Sequence, residues 1–303
     1  MIYELSKDNL KISIQEILSL ADTEDYELYD NILICKKIID YKRLACTNNV
    51  YELIFIDNKI PEINWEKYYE ENFCVRSNKA SKEKELAGII WKSLKTPKVK
   101  LRNSKSEFNF FFIKDKIICG KKVFERTEPF HIRRPDLRPG FFPVSLKPKL
   151  ARALINLSGV KKGIIWDPFC GTGGILLEAA MIGIKVIGTD IDPIMIRAAK
   201  ENFKHYNLKA TFNVADARTE IIKCKAVVCD PPYGRRASTK KTEVEELYNE
   251  FLEHAYNFID KVVIMMPNTI KIKTKYKIKF STEQFVHGSL TRRIMILEKT
   301  NTK

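Results

Sequence analysis

Long apolar runs are missing from this sequence: within its 303 residues no stretch approaches the roughly 18 that a membrane-crossing helix needs. The first ten residues, MIYELSKDNL, carry charges where a secretion signal requires an unbroken apolar core, so a cytoplasmic protein is expected, with no membrane partner. Histidine is scarce, with His131, His205, His254 and His287 far apart in the chain. The seven cysteines (Cys35, Cys46, Cys74, Cys119, Cys170, Cys224 and Cys229) include no C-x-x-C pair, so they read as thiols of a reducing compartment and no metal site is expected. Internal repeats and low-complexity segments are also lacking. There is no G-x-G-x-x-G, which argues against a dehydrogenase, and no P-loop with its Lys-Ser/Thr, which argues against a triphosphate site.

What the chain has in excess is positive charge, 53 Lys+Arg against 38 Asp+Glu, together with 45% hydrophobic residues, enough to exclude intrinsic disorder and to fill two or three domains. The excess is uneven. Met1 to Glu71 holds 8 basic and 15 acidic residues, whereas Asn72 to Glu128 holds 15 basic and 6 acidic, including KTPKVKLRNSKSE. A basic segment of this kind suits a polyanion, although a Lys-rich solvated face would look the same.

Apolar clusters at Ile32–Cys35 and Leu53–Ile56 predict short buried strands, and Leu86, Ile89, Ile90 and Leu94 predict an amphipathic helix over Ser81–Leu94. Strands over Phe108–Ile113 and Lys116–Gly120 follow, joined by a tight turn. The proline-dense stretch RTEPFHIRRPDLRPGFFPVSLKP opposes regular structure and is expected to be a linker. After Pro148 helix and strand alternate. Helices are expected at Lys149–Leu157, Ile175–Met181, Pro193–Tyr206 and Glu243–Phe258. Strands are expected at Gly163–Trp166, Lys185–Thr189, Thr211–Val214, Ala226–Cys229 and Lys261–Met265, and a hairpin from KYKIKF and RRIMILEK closes the chain. This predicts an α/β fold, a parallel sheet covered on both faces that takes in an antiparallel last strand.

Four clusters in that half carry chemistry. IIWDPFCGTGGILLEAA places a strand end at Asp167, a glycine loop at Gly171, Gly173 and Gly174, and then a helix start, the build of a nucleotide site in which missing Cβ atoms admit a ligand. VIGTDIDP ends a strand on Asp190, in the position of a ribose-binding acid, with Asp192 as competitor. NVADA offers Asp216 as an acceptor for an adenine amine. AVVCDPPYG sets Asp230, Pro231, Pro232 and Tyr233 directly after an apolar strand. Proline has no N–H, so the Asp230 and Pro231 carbonyls are expected to face outward beside the Asp230 carboxylate, with Tyr233 available to stack on a base. Such acceptors suit an exocyclic amine on a planar ring.

The order DPFCGTGG, GTDID, ADA, DPPYG resembles the class I S-adenosylmethionine-dependent methyltransferases that act on amines, with a Rossmann-like domain. NFCVRSNKASKEKELAGIIWKSLK, KVKLRNSKSEFNFFF and CGKKVF look like a THUMP domain, an RNA-binding module. With RRPDLRPGFFPVSLKPKLARALINL and HGSLTRRI, the whole chain resembles the archaeal tRNA (guanine(10)-N2)-methyltransferase family.

That resemblance implies an acidic α+β, ferredoxin-like subdomain over 1–71, a THUMP domain over 72–126, a linker over 127–147 and a methyltransferase domain over 148–303. It implies S-adenosylmethionine as cofactor, touched by Phe141, Ser145, Asp167, Pro168, Gly171, Thr172, Gly173, Asp190, Ile191, Asp216, Ala217 and Asp230. Asp230, Pro231, Pro232 and Tyr233 would hold the target amine, and the partner is tRNA, with a helper subunit left open. Lys98, Lys100, Arg102 and Lys105 are phosphate-contact candidates, and so are Arg235 and Arg236 beside the motif. Two features depart from the family pattern: the loop GRRAS carries an additional Arg, and no helix is expected between the last parallel strand and the hairpin. The implied reaction is methyl transfer to N2 of a guanosine in tRNA, at position 10. DPPY serves adenine N6 equally, so another tRNA position such as guanosine 6, rRNA, or adenine N6 are the alternatives within the class. An RNA-binding protein with a degenerate catalytic domain is the alternative outside it.

Overall fold

The structure, a computed structural model, describes residues 1–143, 145–234, 241–288 and 290–300. One unit comprises Met1–Leu10, Thr23–Lys42 and Thr47–Thr127, and a second comprises Lys11–Asp22, Arg43–Cys46 and Glu128–Lys303. The elements up to Thr127 are β1 (Ile2–Leu5), α1 (Leu10–Ala21), β2 (Glu27–Tyr29), β3 (Ile32–Ile34), β4 (Thr47–Asp57), β5 (Phe73–Ser77), α2 (Glu83–Ser93), β6 (Ser106–Ile113) and β7 (Lys116–Glu125).

In the first unit the strands form one sheet in the order β2-β3-β1-β4-β7-β6-β5, antiparallel except for the β5–β6 pair. Alternation along β6 explains its burial: Phe108 and Phe110 pack with Trp65 and with Leu86 and Ile90 of α2, while Phe111 joins Ile2, Tyr51 and Ile118 in a separate cluster. Leu86 and Ile90, four residues apart, form the buried face of α2, and a short 3-10 turn at Ala80–Lys82 replaces the first residues of the helix expected there. The boundary expected after Glu71 falls inside this sheet, because β4 pairs with β7 from Asn49–Glu125 to Asp57–Ile117. Surface charge, which suggested that boundary, does not decide strand pairing.

The second unit holds α3 (Pro148–Leu157), β8 (Ile164–Asp167), α4 (Gly174–Met181), β9 (Lys185–Asp190), α5 (Pro193–His205), β10 (Thr211–Val214), β11 (Ala226–Cys229), α6 (Lys241–Tyr256), β12 (Lys261–Pro267), β13 (Lys277–His287) and β14 (Leu290–Glu298). Its sheet runs β10-β9-β8-β11-β12-β14-β13; the first five strands are parallel and β14 enters antiparallel beside β12. Strand residues alternate between two cores. Ile165, Val228 and Val263 face Leu154, Leu176 and Phe203, whereas Trp166, Val227 and Ile264 face Tyr248, Phe251 and Leu252 of α6. Each fully buried side chain of this kind contributes about 1.5–3 kcal/mol. The chain steps from β8 outward to β9 and β10, then returns to the other side of β8 for β11. This reversal opens a crevice at the carboxyl ends of the strands, where open α/β sheets bind ligands.

Two features of this unit differ from the sequence reading. LKISIQEILSLA, to which the sequence reading assigns no element, is a helix, with Ile12, Glu16, Ile17 and Leu20 on its buried face. Glu16 is tolerated there because it accepts from the Ala45 and Cys46 N–H groups, both at 2.9 Å, and from Asn156 Nδ2 at 2.7 Å. The proline-dense segment, expected as a linker without regular structure, forms only two short 3-10 turns among its described residues, Phe130–Arg133 and Pro135–Leu137, but has a buried interior. Arg133 donates to Glu178 through Nε at 2.9 Å, Arg152 donates to the same carboxylate at 2.8 Å, and Gly140 donates its N–H to Asn202 Oδ1 at 2.8 Å. Proline prevents repeating hydrogen bonds, not packing, and Arg133 enters the interior together with its counter-charge.

Candidate active site

Residues at the carboxyl ends of β8 to β11, the glycine loop, the segment before α3 and the β13–β14 hairpin enclose a cleft of about 990 Å³. Asp167 ends β8 at its floor, buried, and accepts the Phe169 N–H at 3.0 Å. Burial pushes its carboxyl well up, and the nearby charges of Asp190 and Asp230 push in the same direction. The loop that follows is tied to β9: Gly171 donates its N–H to Asp190 Oδ2 at 2.8 Å, and Asp192 donates its N–H to Asp190 Oδ1 at 3.0 Å. Burial raises Asp190 as well, opposed by these backbone bonds. Its rival Asp192 is occupied at the N-cap of α5, where it accepts the Ile194 N–H at 2.8 Å.

Gly171 and Gly173 both have left-handed backbone, φ 50° and 79°, but serve different ends. A Cβ on Gly171 would meet nothing within 4 Å and would stand in the cleft, whereas one on Gly173 would press Phe203 at 3.2 Å and Ala199 at 3.4 Å. Gly171 is therefore the glycine that leaves room for a ligand, and Gly173, absent from the cleft lining, lets the loop close on α5. Thr172 lines the cleft and its hydroxyl meets that of Ser145 at 3.2 Å. Pro168, Ile191 and Ala217 also line it. Phe141 does not; it is 50% exposed and its neighbour Phe142 faces the cleft instead. Asp216 lines the cleft with its carboxylate gripped by Arg218, through Nε at 3.0 Å and Nη2 at 2.6 Å, and this bonding holds its carboxyl below the usual range. An amine reaching Asp216 would share it with that guanidinium.

At the other end of the cleft Asp230 follows β11 with Pro231, Pro232 and Tyr233. The Tyr233 hydroxyl donates to the Asp230 carboxylate. Burial raises the Asp230 carboxyl to about 6, opposed by that bond and by the charge of Arg292. The Pro231 carbonyl, expected to face outward, accepts instead from the buried Tyr248 hydroxyl of α6 at 3.3 Å, which the Pro232 carbonyl shares at 3.0 Å. A carbonyl has two lone pairs, so Pro231 retains one acceptor position. Tyr248 was not legible as a site residue, since among Val244, Phe251 and Leu252 it reads as core. Arg292 lies in the motif HGSLTRRI. It lines the cleft with its guanidinium 5.8 Å from the Tyr233 ring centre, and its Nε is buried without a partner among the described residues.

In the first unit Lys98, Lys100, Arg102 and Lys105 are exposed along the stretch that docks beside β5, where Phe73 donates to the Lys98 carbonyl and Lys100 donates to the Phe73 carbonyl, both at 2.9 Å. Arg235 and Arg236 lie outside the described residues. No helix among the described residues is long and apolar enough to cross a membrane.

A cleft with a glycine cradle and carboxylates set around it fits a ligand carrying an ammonium, a ribose and an adenine. The residues present thus suit S-adenosylmethionine, and the doubly covered sheet with its antiparallel β14 is the matching frame: fold and site define a class I S-adenosylmethionine-dependent methyltransferase. The family model described as UPF0020 (RMKL-like, methyltransferase domain) matches residues 135–294, and one described as DNA methylase matches residues 2–201, ending before Asp230. A tRNA (guanine(10)-N2)-dimethyltransferase of Methanothermobacter thermautotrophicus is 38% identical over 90% of this chain and 88% of its own length. One of Pyrococcus abyssi is 32% identical over 78% of this chain and 77% of its own. Among solved structures, TrmN from Thermus thermophilus shares the fold at TM-score 0.52 and 19% identity, covering 99% of each chain. The chain belongs to the tRNA (guanine(10)-N2)-dimethyltransferase family.

Proposed function

We propose that the protein methylates the exocyclic N2 of guanosine 10 in tRNA. The observation that carries this is the meeting, in one cleft, of the glycine cradle at Gly171 with the acceptors at Asp230 and Pro231. When bound, S-adenosylmethionine supplies a methyl group made electrophilic by its sulfonium. Asp167 takes the ammonium of the cofactor, Asp190 its ribose hydroxyls, and Asp216 with Ile191 and Ala217 its adenine.

The target amine donates one N–H to the Asp230 carboxylate and the other to the Pro231 carbonyl. Held this way, N2 is turned from conjugation with its ring and directs its lone pair along the line of transfer. Tyr248 fixes both proline carbonyls from below, and Tyr233 locks the carboxylate orientation while its ring takes the base. As the N2–methyl bond forms, the methyl–sulfur bond of the sulfonium would break with neutral S-adenosylhomocysteine as the leaving group, and the one proton that N2 sheds would go to the Asp230 carboxylate and from there to solvent.

Residues 72–126, read as the THUMP module, hold the tRNA through Lys98, Lys100, Arg102 and Lys105, in the cytoplasm. The test is nucleoside mass spectrometry on a tRNA transcript incubated with the protein and S-adenosylmethionine, with Asp230→Ala and a transcript carrying inosine at position 10 as controls. N2-methylguanosine or N2,N2-dimethylguanosine, lost in both controls, is the expected result. N6-methyladenosine, or product that survives the inosine replacement, overturns the assignment.

A further inference from the structure

The end of β13 exposes apolar surface that the fold does not require. Phe285 is 71% exposed and its neighbour Val286 40%. β13 is the edge strand of its sheet and mostly exposed, Thr282 being its one buried residue, so apolar side chains along it meet solvent. Here the ladder shifts: Phe285 pairs with Thr291 and His287 with Leu290, which leaves Val286 as the additional residue of a bulge. Bulges next to active sites re-aim side chains. The result is that Val286 and His287 line the cleft, while the Phe285 ring, adjacent in the chain, does not line it and stays in solvent. The returning strand β14 carries Arg292 into the same cleft, so the bulge is anchored to the end that holds Asp230 and Tyr233.

We propose that Phe285, backed by Val286, is a wedge that enters the RNA stack at the place vacated by the nucleotide drawn into the cleft. The inference rests on the function proposed above, because a guanosine inside a folded RNA must leave its stacked neighbours before its amine can reach Asp230. Extrusion carries an unstacking penalty, and an apolar ring inserted between the remaining bases offsets it. A flat, uncharged, solvent-facing ring beside the cleft has the required chemistry: it offers a face to either flanking base without reading its sequence.

The test uses the full chain with S-adenosylhomocysteine and a tRNA transcript bearing 2-aminopurine at the target position, whose fluorescence rises when the base leaves the stack. Phe285→Ala is expected to abolish most of that rise and to lower kcat/KM on the guanosine transcript about 10- to 100-fold. On a transcript whose target guanosine faces an abasic nucleotide, the penalty of Phe285→Ala is expected to shrink to under about 3-fold, because the base is already loosened. Phe285→Trp is expected to restore both fluorescence and rate, and S-adenosylhomocysteine affinity and Tm are expected to be the same in all variants. An equal loss on paired and abasic transcripts, or a full fluorescence rise with Phe285→Ala, overturns the wedge. Absence of N2 product from the unaltered protein would instead overturn the reading on which the wedge stands.

Discussion

Replacing Asp230 by asparagine should make the protein more stable and inactive at once. Asp230 sits half-buried in the cleft with its carboxyl raised to about 6, roughly 2 pH units above the ordinary value of an aspartate. A raised folded-state value means that the folded protein holds the proton more tightly than the unfolded chain. Below about pH 4 the carboxyl is protonated in both states and destabilises nothing; between about pH 4 and 6 the unfolded chain ionises first and stability falls; above about 6 the full penalty is present. Two units correspond to about 3 kcal/mol, and access to solvent at the cleft brings this nearer 2. The substituted side-chain amide keeps an acceptor for the Tyr233 hydroxyl and carries no charge to strand. Calorimetry at pH 7.5 should therefore show the Asp230→Asn Tm higher by on the order of 5 °C, with the difference vanishing near pH 4. Methyl transfer should drop about 10²- to 10³-fold, since an amide presents an N–H where the amine needs an acceptor. In the unaltered protein the rate should fall as pH drops through about 6, as Asp230 takes up its proton. A variant less stable than the parent at pH 7.5, or a Tm difference that does not change with pH, would refute the reasoning that this carboxylate is held against its preference.

Gly171→Ala should cost about 1–2 kcal/mol for the left-handed backbone. Its methyl group, projecting into the cleft, should weaken S-adenosylmethionine binding by isothermal titration roughly tenfold. Glu178→Gln removes the buried carboxylate that Arg133 and Arg152 share and leaves them Glu128, 2.6 Å from Arg133, as their remaining counter-charge, so denaturant unfolding should show a loss of about 3 kcal/mol. Combined replacement of Lys98, Lys100 and Arg102 by Ala should weaken tRNA binding and flatten the slope of log K against log salt by up to about 3, leaving cofactor affinity unchanged.

Local patterns carried most of the second unit. Strand ends at Asp167, Asp190 and Cys229, the helix start at Pro193 and the antiparallel last strand stand where the residues alone place them, and α3 begins one residue before the expected Lys149. A strand end or a Pro at the first helical position is a property of adjacent residues, and so it can be read from one sequence. What escaped depends on partners distant in the chain. Nothing in LKISIQEILSLA says that Glu16 will find Asn156, without which a buried carboxylate argues against burying that helix face. Nothing near Pro231 says that Tyr248 will take up its carbonyl. The choice between Phe141 and Phe142, and the different duties of Gly171 and Gly173, turn on where α5 and the cleft lie, which no spacing rule encodes.

The reversal of chain direction at β8 separates the labour of the cleft between stretches of sequence that can vary apart. Asp167, Asp190 and Asp216 come from β8 to β10, on one side of the turnaround; Asp230, Val286 and Arg292 come from β11 and the hairpin, on the other. A substitution in the hairpin tip leaves the glycine loop and its two tethering aspartates untouched. The same scaffold can therefore be redirected to a different amine, or a different fold of RNA around it, by rewriting the last quarter of the chain while the means of activating the methyl group is inherited unchanged.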